Sequence, residues 1–253
     1  MLRKVAATRY VTPLREGGSL PGLVEADDDG LYVVKFRAAG QGLKALVAEV
    51  IVGELARAAG LRVPEIVVVD LAAELGRTEP DPEINELVSG SAGLNCGIDF
   101  LPGALDYNPA LPTELDSLTA SEIVWIDAFT TNVDRTPRNP NLLVWHRETW
   151  LIDHGAALYQ HHAERGLVQR AREPFALIAE HVLLPLASEL CAADARLMSA
   201  LSEPVITDAV AQVPDDWLGS NPAVSRMEYV EYLCARLSEP RGFVDEAEAA
   251  RGA

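Results

Sequence analysis

A chain of 253 residues with 49% hydrophobic and 23% charged residues has the composition of a soluble globular protein, long enough for one large domain or two lobes. Its net charge of −17 argues against a broad surface for nucleic acid or an anionic membrane, and no stretch approaches the roughly 20 apolar residues of a membrane helix. The three cysteines form no CxxC pair, which argues against structural zinc and disulfides and predicts a reducing, cytoplasmic setting.

Three β-prone segments open the chain, at residues 5–14, 23–26 and 31–36. The first turn reads REGGSLPG and joins two antiparallel strands, so it fits neither a dinucleotide-binding loop, which leads into a helix, nor a Walker loop. At Gly17, Gly18, Ser19 and Gly22 the backbone N–H groups can approach a polyphosphate closely, because glycine has no side chain. An ordinary hairpin turn is the alternative interpretation.

Lys35 interrupts the third apolar strand, where a buried ammonium is costly unless it is paired. Residues 41–59 are predicted to form a helix that ends at Gly60, because their apolar residues recur at helical spacing. Glu49 and Glu54 are its interior carboxylates, and Glu49 is the preferred partner of Lys35. Kinases use a strand lysine paired with a helix glutamate to hold ATP phosphates. A solvent-facing lysine on an edge strand is the alternative.

A proline-terminated connector is predicted further along the chain. Before it come a strand at 64–70, an exposed excursion at 71–83 and a further strand at 84–89. Residues 98–103, IDFLPG, predict a strand that runs into the connector. Between two lobes, the backbone of Phe100 and Leu101 can hydrogen-bond an adenine ring. A surface loop with an apolar anchor remains the alternative.

The remainder of the chain has helical character. Residues 117–131 predict a helix with Ser117 or Thr119 as the N-cap and Asp127 on its polar side. Further helical segments are predicted at 167–200, 203–211 and 223–237. The acidic, alanine-rich tail at 238–253 is expected to fray.

Residues 131–155 read TNVDRTPRNPNLLVWHRETWLIDHG and predict a β-hairpin. Two short apolar runs, at 142–145 and 149–152, lie on either side of three polar residues. A hairpin folds its ends together, so Asp134, either Asn139 or Asn141, and Asp153 should converge at one mouth. Two carboxylates and a neutral oxygen ligand suit a hard divalent cation such as magnesium.

Five motifs in this order resemble the HipA-like kinase family and, more distantly, the phosphatidylinositol kinases: GGSLPG, YVVKF, AEVIVGELARAAGL with RVPE, TNVDRTPRNPNLLV and WLIDHG. The resemblance covers roughly residues 17–159. It implies an α+β, bilobal protein-kinase-like fold. The N-lobe, residues 1–102, would hold an antiparallel sheet and one helix. The C-lobe, residues 103–253, would be mainly helical with a small catalytic hairpin.

The resemblance also implies a role for each polar residue, with ATP and Mg²⁺ as the cofactors. Lys35 matches the lysine on the α- and β-phosphates, and Asp134 matches the catalytic aspartate that orients or deprotonates the acceptor hydroxyl. Asn139 matches the metal-binding asparagine five positions later, with Asn141, which directly precedes the apolar strand, as its rival. Asp153 matches the aspartate that chelates magnesium.

The resemblance says less about how the protein is regulated and which molecule accepts the phosphate. In HipA-like kinases a serine of the phosphate loop can be autophosphorylated, and Ser19 looks comparable. His154 stands where other kinases often have Phe, and the additional N-terminal subdomain is not evident, so neither a toxin role nor an antitoxin partner is assigned. The acceptor hydroxyl is expected on a protein, with a small molecule or a lipid headgroup as the alternative.

Two further interpretations remain. A kinase-like fold can persist as a catalytically silent nucleotide-binding module, although degenerate kinases usually lose at least one of the polar residues named above. In the other interpretation, Asp134 and Arg135 merely form a buried salt bridge.

A His/Asp metallohydrolase is the last alternative. Asp153 and His154 lie one short segment before His161 and His162, and such pairs can bind zinc, manganese or iron. A solvated helix end is the favoured interpretation of the two later histidines.

Overall fold

Five strands from the first hundred residues close into a barrel in the order β1-β2-β3-β5-β4. The computed structural model describes residues 1–14, 20–111, 114–163 and 166–252, so Gly17, Gly18 and Ser19 lie outside the described residues. The strands are β1 Lys4–Pro13, β2 Gly22–Ala26, β3 Leu31–Lys35, β4 Ile66–Leu71 and β5 Gly93–Asp99. β1 and β4 pair in parallel and the other pairs are antiparallel. The predicted first three strands are confirmed.

The helix α1, Gly42–Ala58, connects β3 to β4 and ends before Gly60, whose φ of +88° is the left-handed conformation that glycine adopts readily. Its apolar residues belong to the same buried cluster as those of the later helices, and its main helical contact is with α5. The predicted helix is therefore confirmed, and its buried face joins the barrel to the helical part of the chain.

Residues 84–89 form part of a helix, so the predicted strand is wrong. The helix α2, Pro82–Gly90, is capped by Asp81, whose side chain accepts a hydrogen bond from the Glu83 N–H. Ile84 and Val88 are four residues apart and both pack into the barrel core. Proline in the first turn and this spacing favour a helix, whereas a half-buried strand requires apolar residues two apart.

A second, antiparallel sheet has the order β6-β7-β8. Its strands are β6 Leu105–Asp106, β7 Leu142–Trp145 and β8 Glu148–Leu151. Leu142 pairs with Leu151 and Trp145 with Glu148, which confirms the predicted hairpin and brings its two ends to the same edge.

The helical part comprises α3 Ser117–Phe129, α4 Leu190–Ala200, α5 Glu203–Ala211, α6 Pro222–Leu237 and α7 Gly242–Arg251. The N-cap of α3 is Asp116, which accepts from the Thr119 N–H at 2.9 Å, rather than Ser117 or Thr119. Residues 167–189 contain short 3₁₀ turns in place of the predicted long helix, because Pro174 and Pro185 interrupt it. No helix in the described ranges is long and apolar enough to cross a membrane.

Where the sequence predicted a fraying tail, residues 242–251 form α7, which packs onto the helical core. Phe243 packs against Trp125 and Phe129 of α3, with ring centroids 5.2 and 5.9 Å away, and Ala247 is buried beside it. Burial of the Phe243 ring anchors the helix to α3, and alanine, the best helix former, favours the helix itself. The fold as a whole is the mixed α+β class that the resemblance implied. Residues 1–102 nevertheless hold a second helix, α2, and one parallel strand pair, where one helix and an antiparallel sheet were predicted.

Candidate active site

A cavity of about 720 Å³ lies between the barrel, the connector after β5 and the β7–β8 hairpin. Apolar side chains form one wall, among them Val33, Ile98, Phe100, Leu101, Leu142 and Ile152. The polar residues Lys35, Asp134, Asn139, Asn141 and Asp153 line the same cavity. The residues that the sequence placed in one site are thus brought together around one space.

Lys35 is buried on β3 and bridges two carboxylates. Its Nζ lies 2.6 Å from Glu49 Oε2 and 2.5 Å from Asp153 Oδ1. Burial opposes the charge, but the two carboxylates outweigh it and raise the pKa of the Lys35 ammonium above its ordinary value. Glu54, the other candidate partner, lies near Arg57 on its own helix instead. The predicted pairing of Lys35 with Glu49 is therefore confirmed.

Asp153 follows β8 and is partly exposed toward the cavity. Although burial raises the pKa of its carboxyl, the Lys35 ammonium has the larger combined effect and the net pKa is lowered. Asp153 is therefore ionised at neutral pH. An ionised carboxylate at a cavity wall can accept a cation or a further hydrogen bond.

Asp134 receives hydrogen bonds from both candidate asparagines. Asn139 Nδ2 donates to Asp134 Oδ2 at 2.9 Å, and Asn141 Nδ2 donates to the same oxygen at 3.3 Å and to the Asp134 carbonyl at 3.1 Å. Each amide nitrogen is thus used on Asp134, and the amide oxygen is the atom that each asparagine can offer to a cation.

The ends of the hairpin carry unusual backbone geometry. Asn141 has φ of +49° and Asp153 has φ of +55°, both in the left-handed region, which few residues other than glycine adopt and which asparagine and aspartate adopt most often among those few. The Ile152 N–H donates to the Asn141 carbonyl at 3.1 Å and closes the hairpin between them. Such outliers cluster at functional sites, where the surrounding structure enforces them.

Arg135 is fully buried and pairs with Asp127 rather than with its neighbour Asp134. Its Nε lies 2.5 Å from Asp127 Oδ2, and its guanidinium also donates to the carbonyls of Asn141 and, at 3.3 Å, Ile152. The interpretation of Asp134 and Arg135 as a buried salt bridge is therefore wrong. Arg135 holds the two ends of the hairpin through their backbone.

Asp127 was predicted on the polar side of α3, and the structure corrects this: the residue is fully buried. Its carboxylate accepts from Arg135, from Asn132 Nδ2 at 2.9 Å and from His181 Nε2 at 2.9 Å. Burial raises the pKa of the Asp127 carboxyl, yet Arg135 and His181 lower it by more, so it stays ionised. The sequence reasoning missed Asn132 and His181. An asparagine two residues before Asp134 was the available signal for the first.

His154 is buried behind the cavity. Its Nδ1 lies 3.4 Å from the Arg135 guanidinium, and its Nε2 has no hydrogen-bond partner among the described residues. Burial lowers the pKa of His154 to about 3, so the ring is neutral at physiological pH.

The later histidines have local partners. His161 Nδ1 lies 3.0 Å from the Tyr229 hydroxyl, and His161 Nε2 lies 3.1 Å from His162 Nε2. In the part of the chain that the structure describes, no three His, Cys, Asp or Glu side chains are grouped to hold a metal ion. The metallohydrolase alternative therefore gains no support from the described residues.

Of the other residues predicted to bind the nucleotide, some line the cavity and one does not. Phe100 and Leu101 line the cavity. Gly22 begins β2 and is buried against aromatic rings: a Cβ there would approach Tyr10 and Phe36 to 2.6 and 2.9 Å. Its missing side chain is thus required by packing, and its neighbour Pro21 lines the cavity.

A solved structure with the same fold is that of the proinflammatory kinase CtkA of Helicobacter pylori. The two chains are 12% identical, the TM-score is 0.60 and 96% of each chain is covered, so the likeness establishes the fold, which is that of a kinase. The sequence matches the HipA-like kinase family over residues 8–239, and the chain therefore belongs to this family of kinase-type phosphotransferases. A search among curated proteins finds no match.

Proposed function

We propose that this chain transfers the γ-phosphate of ATP to a hydroxyl acceptor on a protein, with magnesium as the cofactor. The observation that carries the proposal is the bridge from Lys35 to both Glu49 and Asp153 at the polar end of the cavity that Asp134 also lines. Phosphoryl transfer requires positioning and charge neutralisation more than covalent chemistry, and this arrangement supplies both.

In this proposal the adenine ring occupies the apolar part of the cavity and contacts the connector. The Phe100 N–H already donates to the Leu31 carbonyl at 3.0 Å, and the Leu101 carbonyl accepts from the Ala104 N–H at 3.2 Å. The Phe100 carbonyl and the Leu101 N–H are therefore our candidates for binding adenine. The barrel side, residues 1–102, and the helical side, residues 103–253, would act as the two lobes around the nucleotide.

The donor set at the hairpin mouth fits magnesium. Asp153 offers a carboxylate oxygen and Asn141 an amide oxygen, the hard ligands that this ion prefers. We favour Asn141 over Asn139 because the Asn141 backbone is bonded to Arg135 and Ile152, next to Asp153, whereas Asn139 is exposed. Bound magnesium would neutralise phosphate oxygens.

Asp134 is our candidate for the residue that accepts the proton of the acceptor hydroxyl. The Asn139 and Asn141 amide nitrogens fix its carboxylate, and its own N–H donates to Asn132 Oδ1 at 3.1 Å. A carboxylate that two amides hold through one oxygen can orient a hydroxyl group for attack with the other.

The test combines thermal stabilisation by Mg-ATP with phosphate transfer to a panel of protein, lipid and small-molecule acceptors. We expect Asp134→Ala to retain nucleotide binding and lose transfer, and Lys35→Ala to weaken binding. Asp153→Ala should lower magnesium-dependent turnover by at least about a hundredfold with the fold intact. Unchanged turnover in the Asp153 variant would refute the proposal. Binding without transfer in the wild-type protein would favour the silent nucleotide-binding module.

Ser19 provides a separate test of regulation. By analogy with the family, we propose that it is autophosphorylated and that the phosphate then silences the enzyme. Mass spectrometry after incubation with Mg-ATP should find phosphate on Ser19 in the wild-type protein and none in Asp134→Ala. A wild-type protein that transfers phosphate to an acceptor but leaves Ser19 unmodified would exclude this control.

A further inference from the structure

Arg138 lies at the tip of a tight turn beside the candidate catalytic residues. The Thr136 N–H donates to the Asn139 carbonyl at 3.0 Å, and the Asn139 N–H donates back to the Thr136 carbonyl at 3.1 Å. Pro137 fixes its own φ within this turn and stiffens it. The turn therefore holds Arg138 next to Asn139, whose amide group contacts Asp134.

The side chain of Arg138 lines the cavity and is exposed. Within residues 1–14, 20–111, 114–163 and 166–252, no hydrogen bond or ion pair engages its guanidinium. Lys35, the other described cation of the cavity lining, is paired with both Glu49 and Asp153. Arg138 thus has five N–H donors available to whatever occupies the cavity.

The negative charge of the cavity lining indicates what the Arg138 guanidinium can bind. Four aspartates line the cavity: Asp99, Asp106, Asp134 and Asp153. The charge of Lys35 is already offset by two carboxylates, so a polyphosphate would meet a predominantly negative surface. Arginine presents a planar fork that matches two phosphate oxygens at once, which makes it well suited to a terminal phosphate.

We propose that Arg138 binds the terminal phosphate of the nucleotide, an inference that rests on the proposed function. In the transfer, the acceptor oxygen forms a bond to the γ-phosphorus while the bond from that phosphorus to the β–γ bridging oxygen breaks. ADP leaves with the electron pair, and Asp134 takes the hydroxyl proton. Arg138 stays protonated and offsets the negative charge on the transferred group throughout.

The affinities of two nucleotides separate this role from a general charge effect. Mg-AMP-PNP carries a third phosphoryl group that Mg-ADP lacks, and both can be titrated calorimetrically. We expect Arg138→Gln to weaken Mg-AMP-PNP binding about tenfold and to leave Mg-ADP binding within about twofold, because one charge-assisted contact is lost. Arg138→Lys should have a Mg-AMP-PNP affinity between those of the wild-type protein and Arg138→Gln, because lysine keeps the charge and loses the planar fork.

Arg77→Gln is the matched control, because Arg77 is exposed, lies outside the cavity and gives the same change in net charge. It should change neither affinity. An equal loss for both nucleotides in Arg138→Gln, or the same loss in Arg77→Gln, would overturn the proposal. Unchanged affinities would also overturn the proposal, and Arg138 would then be a candidate for binding the phosphate acceptor instead. A wild-type protein that binds neither nucleotide would overturn the proposed function itself.

Discussion

Arg135 and Asp127 form an ion pair with no solvent exposure on either side and 2.5 Å between Nε and Oδ2. The pair joins α3 to the loop that follows Asp134. Because Arg135 also donates to the carbonyls of Asn141 and Ile152, the same guanidinium connects the helix to both ends of the hairpin. The geometry of the candidate active site is therefore set from within the core.

Removal of the negative charge should destabilise the fold strongly. In Asp127→Asn the Arg135 guanidinium stays buried without a counter-ion, which costs about 3–5 kcal/mol of unfolding free energy. Urea unfolding followed by circular dichroism measures the loss. Glu114→Gln is the control, because it removes a carboxylate that pairs with Arg147 on the surface and should change stability little. Equal effects in the two variants would contradict a special role for the buried pair.

The two asparagines should differ in their effect on the requirement for magnesium. Asn141→Ala removes the amide oxygen that we favour as a magnesium ligand and should raise the magnesium concentration at half-maximal turnover about tenfold or more. Asn139→Ala loses a contact to Asp134, so it should lower turnover at saturating magnesium and shift the requirement less. A magnesium titration of phosphate transfer distinguishes them. The opposite ranking would assign the metal to Asn139.

Glu49 and Glu54 lie on the same helix and make a matched pair of variants. Glu49→Gln leaves Lys35 with Asp153 as its one ion-pair partner among the described residues, so the ammonium should be drawn toward this candidate metal ligand and away from the phosphates. We expect Mg-AMP-PNP affinity to fall about tenfold, measured by calorimetry. Glu54→Gln affects only a loose contact with Arg57 and should leave the affinity unchanged. A similar fall in both would point to the charge of the helix as a whole.

His161 should make stability depend on pH. Burial and the neighbouring His162 lower the pKa of His161 to about 3, whereas the unfolded chain binds this proton near pH 6.5. Unfolding free energy should therefore fall as the pH drops from 6.5 toward 3, by up to about 1.4 kcal/mol per pH unit from this group.

His161→Gln tests that expectation, with His146→Gln, in the exposed β7–β8 turn, as the control. Urea unfolding between pH 7 and 4 gives, for each protein, the slope of the unfolding free energy against pH. The slope should be smaller in His161→Gln and unchanged in His146→Gln. Carboxylates that titrate in this range contribute equally to all three proteins, so identical slopes would show that His161 gains its proton as readily in the folded state as in the unfolded chain.

Local patterns in the sequence were sufficient for the elements that build the site. β3, α1 and the β7–β8 hairpin each follow from spacing within one short segment, and the apolar stretch around Lys35 was enough to suggest a paired lysine. The strand predicted at 84–89 is wrong although Asp81 and Pro82 carried a helix-start signal. Ile84 and Val88 are β-branched, which favours a strand locally, but the capping of the segment by Asp81 favours the helix.

The buried network could not be predicted, because its partners are distant or hidden by composition. Asp127 reads as the polar face of an amphipathic helix, yet its partners Arg135 and His181 lie 8 and 54 residues away in the chain. The docking of α7 similarly depends on one aromatic residue, Phe243, in an otherwise acidic tail. Contacts of this kind are decided by tertiary packing, which overrides local propensity.

Asn141 and Asp153 hold left-handed backbone where glycine would fold with less strain. A substitution to glycine at either position should relieve this backbone strain, but it also removes side-chain contacts: Asp153 pairs with Lys35, and Asn141 donates to Asp134. The conformation of the hairpin mouth does not itself require either side chain, which separates what this chain needs in order to act from what its backbone needs in order to fold.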